Sequence, residues 1–407
     1  METDRALDSA SKQATWSWWS RHRMGGSYAL IIGVLAAGQL DYEVSLRTEG
    51  RTGTSSTSAD SLANFVQLDP AAALSTRLRA FDITGAYRPR LLFALAVHQL
   101  AVLHRGTLGT KWRLSRKTRL TFDQSLAYGR NDFSPLIGVQ GTSPPDPRLP
   151  PVLILKYLQS ASTIGVTHST LTGVEWGGSA SYSLSGGADQ AARNVLPLSR
   201  NGALSGHVDF ELTRTDVLSA TAVGSLTTFS NHARTLVVSG GSGWRHQFSP
   251  ATQGDVSAGL SITQSVRPGL PDVIKTGPFA SLGVSHRASI RRQQLLGSAR
   301  VSYTKAVDPY GGGAYSRVDG ILGAEYSPIR SLSFTLRAAG SRALSGPPEL
   351  RNGLAQVELA SLFAIDRHLS VSAGARTAWY SGTARSALQG FLWAAFLGLT
   401  VGQQGRL

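Results

Sequence analysis

Apolar and polar side chains alternate along this chain, and the pattern recurs to its last residues. In the stretch 105–114, Leu108, Trp112 and Leu114 fall on one side, with Thr110 the weak member. Arg105, Thr107, Gly109, Lys111 and Arg113 fall on the other. After Ser115–Lys117, Leu120, Phe122, Leu126 and Tyr128 share a side, opposed by Arg119, Thr121, Asp123 and Ser125. A period of two with one apolar and one polar face marks a half-buried strand. The same alternation sets Val208, Phe210 and Leu212 against His207, Asp209 and Glu211, and Leu332, Phe334 and Leu336 against Ser333, Thr335 and Arg337.

Read this way, the sequence predicts eighteen strands, at about 41–48, 74–82, 85–95, 98–114, 117–130, 157–168, 171–185, 201–213, 216–229, 232–246, 252–265, 276–288, 294–305, 316–327, 331–342, 353–365, 368–380 and 388–402. Sixteen is the alternative count, because the division between the second and third is the weakest. Many are long enough to cross a bilayer at a tilt, which takes about nine to eleven residues. The connections alternate in length. Short ones fall near 115–117, 169–170, 214–215, 249–251, 289–293, 328–330 and 366–367. Longer ones fall at 49–73, 131–156, 186–200, 266–275, 306–315, 343–352 and 381–387, while 96–97 and 230–231 do not fit the long class. Tight turns on one side and long loops on the other are the layout of an outer-membrane barrel. Backbone polar groups must be paired in lipid, so strands span a membrane only as a closed barrel. The fold expected is therefore all-β, a transmembrane antiparallel up-and-down β-barrel with both termini at the short-turn, periplasmic side. Tyr42, Trp112, Tyr128, Trp244, Tyr303, Tyr326, Trp379 and Tyr380 are expected at aromatic girdles.

Composition sharpens this picture. The 407 residues include 44 Gly and no Cys, and only 16% are charged. No disulfide, thiolate metal site or cysteine nucleophile is available. Residues 21–38 carry a short basic region, an apolar run and small residues, the layout of a secretory signal peptide cut after Gly38. Gln39 stands where a lipid-carrying Cys would be needed. The expected organisation is an extension plus signal peptide over 1–38, starting at Met1 or Met24, and a single barrel domain over 39–407.

The chain carries 40 Lys and Arg against 25 Asp and Glu, a formal charge of +15. The basic residues are spread over successive strands rather than gathered in one patch, which argues against nucleic acid. They stand mostly at polar-phase positions, so Arg47, Arg77, Arg79, Arg105, Lys111, Arg113, Arg119, Arg287, Arg300, Arg337 and Arg376 are the pore-lining candidates. Rings of basic side chains favour anions. The competing reading pairs them with Asp123, Asp209, Glu211, Asp319, Glu325 and Glu358 as wall structure. No nucleophile elbow, phosphate loop or His-Glu-x-x-His motif is present. His207, Asp209 and Glu211 share a face but read as a solvated patch, so no enzyme, metal or cofactor is expected.

The run Trp112-Arg-Leu-Ser-Arg-Lys-Thr-Arg-Leu-Thr-Phe122, followed by Ala127-Tyr-Gly-Arg-Asn-Asp-Phe-Ser-Pro-Leu136, resembles the early hairpin of Wzp-type outer-membrane barrels of myxobacterial exopolysaccharide export pathways. The resemblance implies an eighteen-stranded conduit for polysaccharide that partners a short periplasmic polysaccharide-export protein and sits in outer-membrane lipid. Two other readings stand beside it. One is a diffusion porin for small anions. The other is a barrel that anchors loops 49–73 and 131–156 for adhesion or assembly.

Overall fold

The computed structural model describes residues 39–55, 64–95, 98–132, 154–170, 173–290, 293–308, 312–345, 353–381 and 390–406. The proposed signal peptide and most of the loop 131–156 lie outside the described residues.

The strands are β1 (Gln39–Ser55), β2 (Phe65–Arg77), β3 (Phe81–Tyr87), β4 (Arg90–Ala94), β5 (Gln99–Arg113), β6 (Thr118–Asp132), β7 (Ile154–Ser169), β8 (Val174–Gly187), β9 (Ser199–Glu211) and β10 (Asp216–Phe229). They continue with β11 (Arg234–Ser249), β12 (Thr252–Val266), β13 (Val273–Ile290), β14 (Gln293–Val307), β15 (Ala314–Ile329), β16 (Leu332–Ala343), β17 (Gly353–Ala364), β18 (Leu369–Ser381) and β19 (Gly390–Arg406). Every pairing is antiparallel between neighbours in space, and β19 pairs back onto β1 over its whole length. The sheet is a closed barrel with no free edge. A six-residue helix, α1 (Gln190–Val195), packs against the end of β8, its N-terminus capped by the Asp189 carboxylate, which accepts from the Ala192 N–H at 2.9 Å.

β3 and β4 are two pieces of one stave, since β2 and β5 each pair with both. Nineteen segments therefore make eighteen staves. The break has a cause in the sequence. Pro70 and Pro89 lack the N–H that a ladder needs, and pairing between β2 and this stave lapses between Leu68 and Ala72. Each of the eighteen expected strands overlaps a stave, but the second, 74–82, is corrected: it runs past the end of β2 at Arg77, across the turn at 78–80 and into β3. The expected loop 49–73 is corrected: β1 continues to Ser55 and β2 begins at Phe65. Charge alternating with Thr and Gly across 47–53 hid the strand, because its lipid face carries no bulky apolar side chain there.

Four of the turns at the end where β1 begins and β19 finishes share one device. Ser115 Oγ accepts from the N–H of Lys117 and Thr118, at 3.1 and 3.0 Å. Thr213 Oγ1 does the same for Thr215 and Asp216, and Ser249 Oγ for Ala251 and Thr252. Asp366 Oδ1 accepts from His368 and Leu369, and those two N–H groups hold its carboxyl below the usual carboxylate range. A side-chain oxygen that mimics a backbone acceptor closes the chain into a tight turn.

The outer face carries Leu108, Leu126, Ile164, Leu204, Leu260, Leu282, Val301 and Leu397, all exposed on the protein and suited to lipid. Aromatic side chains flank this band. Trp112, Trp176, Trp244 and Phe248 stand toward the short turns, and Tyr128, Tyr182, Trp379 and Phe391 toward the long loops. His246 is held between Trp244 and Phe248, with ring centroids 5.3 and 4.7 Å away. Tyr380 is the exception to the expected girdle. It is buried on the inner face. An apolar outer band between aromatic girdles on a closed antiparallel barrel places the protein in the bacterial outer membrane.

This facing makes a direct prediction. Leu260→Arg puts a charge at mid-strand in lipid and is expected to cost roughly 2–4 kcal/mol. Ser239→Arg, inward on the adjacent strand, is expected to cost little. Comparing the temperatures at which the folded band is lost on semi-native electrophoresis checks both, and equal losses would refute the assigned facing.

Candidate functional site

The inner wall is built differently at its two ends. Toward the long loops its side chains are buried, among them Phe65, Leu92, Ala101, Tyr380, Leu392 and Phe396. Toward the short turns the inward Lys111, Arg113, Arg119, Arg245, Gln253, Arg287 and Arg337 are exposed. The interior is packed at one end and accessible from the end that holds both termini.

Where the first and last strands meet, a charged cluster ties the wall together. Glu49, on β1, receives Arg47 at 2.9 Å, Arg51 at 3.2 Å and Arg376 of β18. Arg376 also donates from Nε to Glu358 of β17 at 2.8 Å. To reach β1, Arg376 passes over the intervening β19, with its guanidinium 4.1 Å from the Phe396 ring centre. Arg51 lies 3.8 Å from the Phe65 ring centre in the same way. A planar guanidinium stacks on aromatic faces while forking to carboxylates, which Lys cannot do. Gly374 makes room for this arrangement: a Cβ there would stand 2.7 Å from the Phe396 ring. The inner apolar face of β19, Leu392, Ala394 and Phe396, is thus the floor of the cluster.

A second cluster fills the ladder gap beside Pro70. Asp69 receives Arg90 at 3.3 Å and Arg105 at 4.0 Å, and Gln67 donates to it. Farther round, β8–β14 present a wall of small hydroxyls, with Ser179–Ser205 at 2.7 Å and Ser257–Ser281 at 2.8 Å. Phe279 leans across this wall over Gly259, whose Cβ would lie 2.5 Å from the ring.

The structure sorts ten of the eleven basic candidates into three groups. Arg47, Arg105, Arg300 and Arg376 are inward and paired, Arg300 forking to Asp255 at 3.0 and 3.1 Å. Arg77 is largely exposed at the end of β2, 3.7 Å from Asp82. Lys111, Arg113, Arg119, Arg287 and Arg337 are inward, exposed and have no carboxylate within 4.0 Å among the described residues. Arg79 is corrected: it lies in the turn between β2 and β3 rather than on the wall. The sequence reading missed Glu49, Arg51, Asp69 and Arg90. The first three lie in the stretch taken for a loop. The signal for Glu49 and Arg51 was the period-two run Glu43, Ser45, Arg47, Glu49, Arg51. His207, Asp209 and Glu211 share the inner face of β9, with Glu175 of β8 opposite Asp209. Among the described residues no His, Asp or Glu group is placed to hold a metal ion.

Among solved structures, the outer membrane protein opdK from Pseudomonas aeruginosa is similar at 10% identity and a TM-score of 0.47, over 90% of this chain and 99% of its own. The FrpB iron transporter from Neisseria meningitidis (F5-1 variant) is similar at 10% identity and 0.49, over 89% of this chain and 70% of its own. OccK3 (OpdO) from Pseudomonas aeruginosa is similar at 12% identity and 0.46, over 93% of this chain and all of its own. No curated protein matches the chain. One family model, described as the EpsX exopolysaccharide export family, matches residues 33–407.

Proposed function

The chain belongs to the EpsX exopolysaccharide export family, and on that premise we propose that its barrel is the conduit through which a polysaccharide crosses the outer membrane. The observation that carries this reading is the two-ended interior. An inner wall accessible from the short-turn, periplasmic side suits polymer that arrives from within, and the buried side chains toward the long loops would narrow the way out. The role is non-enzymatic in this reading. Strands of an eighteen-stave barrel enclose a lumen wide enough for an aqueous path. The hydroxyl wall of β8–β14 offers groups that both donate and accept, so sugar hydroxyls exchange partners along it without a deep well.

The short turns present Arg79, Arg116, Lys117, Arg214, Arg330 and Arg367 around the periplasmic rim. A basic rim suits a periplasmic polysaccharide-export protein with an acidic docking face, since charge complementarity steers and orients association. Diffusion of small anions is the second reading, favoured by Lys111, Arg113 and Arg119, which have no carboxylate within 4.0 Å among the described residues.

Removal of the chain from cells is expected to leave polymer synthesis intact and trap polymer in the periplasm. Fractionation with a sugar-specific stain measures this. Surface polymer at the normal level without the chain would overturn the conduit.

A further inference from the structure

On the inner wall near the periplasmic rim, two adjacent cross-strand rows have contrasting side chains. One row reads Gln253, Ser285, Ser298, Gly323, Arg337 across β12 to β16. The next, nearer the rim, reads Arg287, Leu296, Glu325, Thr335 across β13 to β16. Small residues at the centre, Ser285, Ser298 and Gly323, leave a floor. Long residues rise around it, and the result is a cleft of about 450 Å³ open to the lumen.

The charges in this cleft are not spent on the wall. Glu358 lies directly opposite Arg337 in the ladder, but it is engaged by Arg376 on its other side. Arg287 and Arg337 have no carboxylate within 4.0 Å among the described residues. They stand three strand spacings apart, about 14 Å, with Glu325 between them. Two exposed guanidiniums at that span, with amide and hydroxyl groups of Gln253, Ser298 and Thr335 beside them, form a cradle for a short run of sugar rings. A guanidinium forks to a carboxylate with matching geometry. Glu325 accepts from sugar hydroxyls and repels a carboxylate placed midway, which directs acidic groups to the two arginines.

We infer that this cleft is a subsite at the periplasmic mouth for a polysaccharide segment that carries sugar carboxylates. The inference rests on the export reading and adds the substrate's charge to it. The test is calorimetric titration of the full barrel in detergent with tetragalacturonate, and with maltotetraose as the neutral counterpart. Tetragalacturonate is expected to bind and maltotetraose to bind far more weakly, with the acidic affinity falling as salt rises. Arg287→Gln with Arg337→Gln is expected to weaken tetragalacturonate on the order of tenfold or more. Ser298→Trp, which fills the floor and leaves both charges, is expected to weaken it as well. Equal binding of the two sugars, or unchanged binding in the double variant, overturns the inference. So does full binding in Ser298→Trp, because anions would then be held by rim charge and not by the cleft. Any of these results leaves the conduit standing, since that is decided by where polymer accumulates in cells.

Discussion

Glu49→Ala is expected to destabilise the barrel by roughly 3–5 kcal/mol, the scale for removing one member of a buried ion cluster. The Glu49 side chain is 2% exposed, and it faces Arg51 at 0% and Arg376 at 6%. Without the carboxylate, Glu358 still partners Arg376 through its Nε, but the second fork of Arg376 loses its acceptor away from water, and Arg51 loses one of its partners. The cost is therefore that of stranded charge rather than of one lost contact. It falls at the seam, because Glu49 on β1 and Arg376 on β18 bracket β19 and tie the first stave to the last two. Gly374→Val is expected to disturb the same region more broadly, since its Cβ would meet the backbone carbonyl of Leu359 on β17 as well as the Phe396 ring under Arg376. Removing Arg376 as well, as Glu49→Ala with Arg376→Met, is expected to cost less than the two single losses added together, since a charge and its partner leave at once. The measurement is the midpoint of heat-induced conversion from the folded to the unfolded band, followed by tryptophan fluorescence. A Glu49→Ala barrel within about 0.5 kcal/mol of wild type, the range of an ordinary surface change, would show that the cluster does not hold the seam.

The same cluster shows what the sequence made legible and what it did not. Alternation, turn spacing and strand length were local signals, and they located all eighteen staves because each stave is a separate instance of one pattern. The bounds failed at 49–73, where two local rules misled. Thr and Gly took the lipid face after Leu46, so the apolar phase faded, and Pro70 spoke against a strand. The neighbours β19 and β1 nevertheless supply the pairing. Inward facing of Arg376 was legible from its phase beside Ala375. Its partner was not, because Glu49 lies 327 residues away and the contact exists only once the barrel closes. Arg300 with Asp255 and Arg90 with Asp69 are nearer in the chain, 45 and 21 residues apart, and were hidden because phase along one strand does not give the register between strands. Polar phase reports which side of the wall a charge occupies, and register and closure decide which charges are left unpaired.

That distinction fixes where ion preference should reside. Reversing Arg376 would break the seam, so a selectivity change measured there would be ambiguous. Lys111, Arg113 and Arg119 offer a clean test. They stand together on the inner face of β5 and β6 at the accessible end, exposed and without a carboxylate within 4.0 Å among the described residues. Arg113 is directly opposite Arg119 in the ladder. Like charges in that position are destabilising on their own, so a role in the path would account for the pair. The nearest inward acidic side chains are Asp82, directly opposite Lys111 on β3, and Asp123 on β6, while Glu175, Asp209 and Glu211 face inward on β8 and β9 a few strand spacings away. At about 0.1 M salt the Debye length is about 10 Å, so each group governs mainly the ions passing close to it. Replacing all three basic residues with Glu is expected to change the sign of the preference, from anions to cations. The reversal potential of single open channels under a potassium chloride gradient reads this directly. The shift should be large in dilute salt and shrink toward 1 M, where the Debye length is about 3 Å. The barrel should still fold, since none of the three touches the seam, although Lys111→Glu sets a second carboxylate opposite Asp82 at a modest cost, and the heat-conversion midpoint provides that control. An unchanged reversal potential in a barrel that folds and conducts normally would mean that ions pass along the hydroxyl wall and not beside β5 and β6.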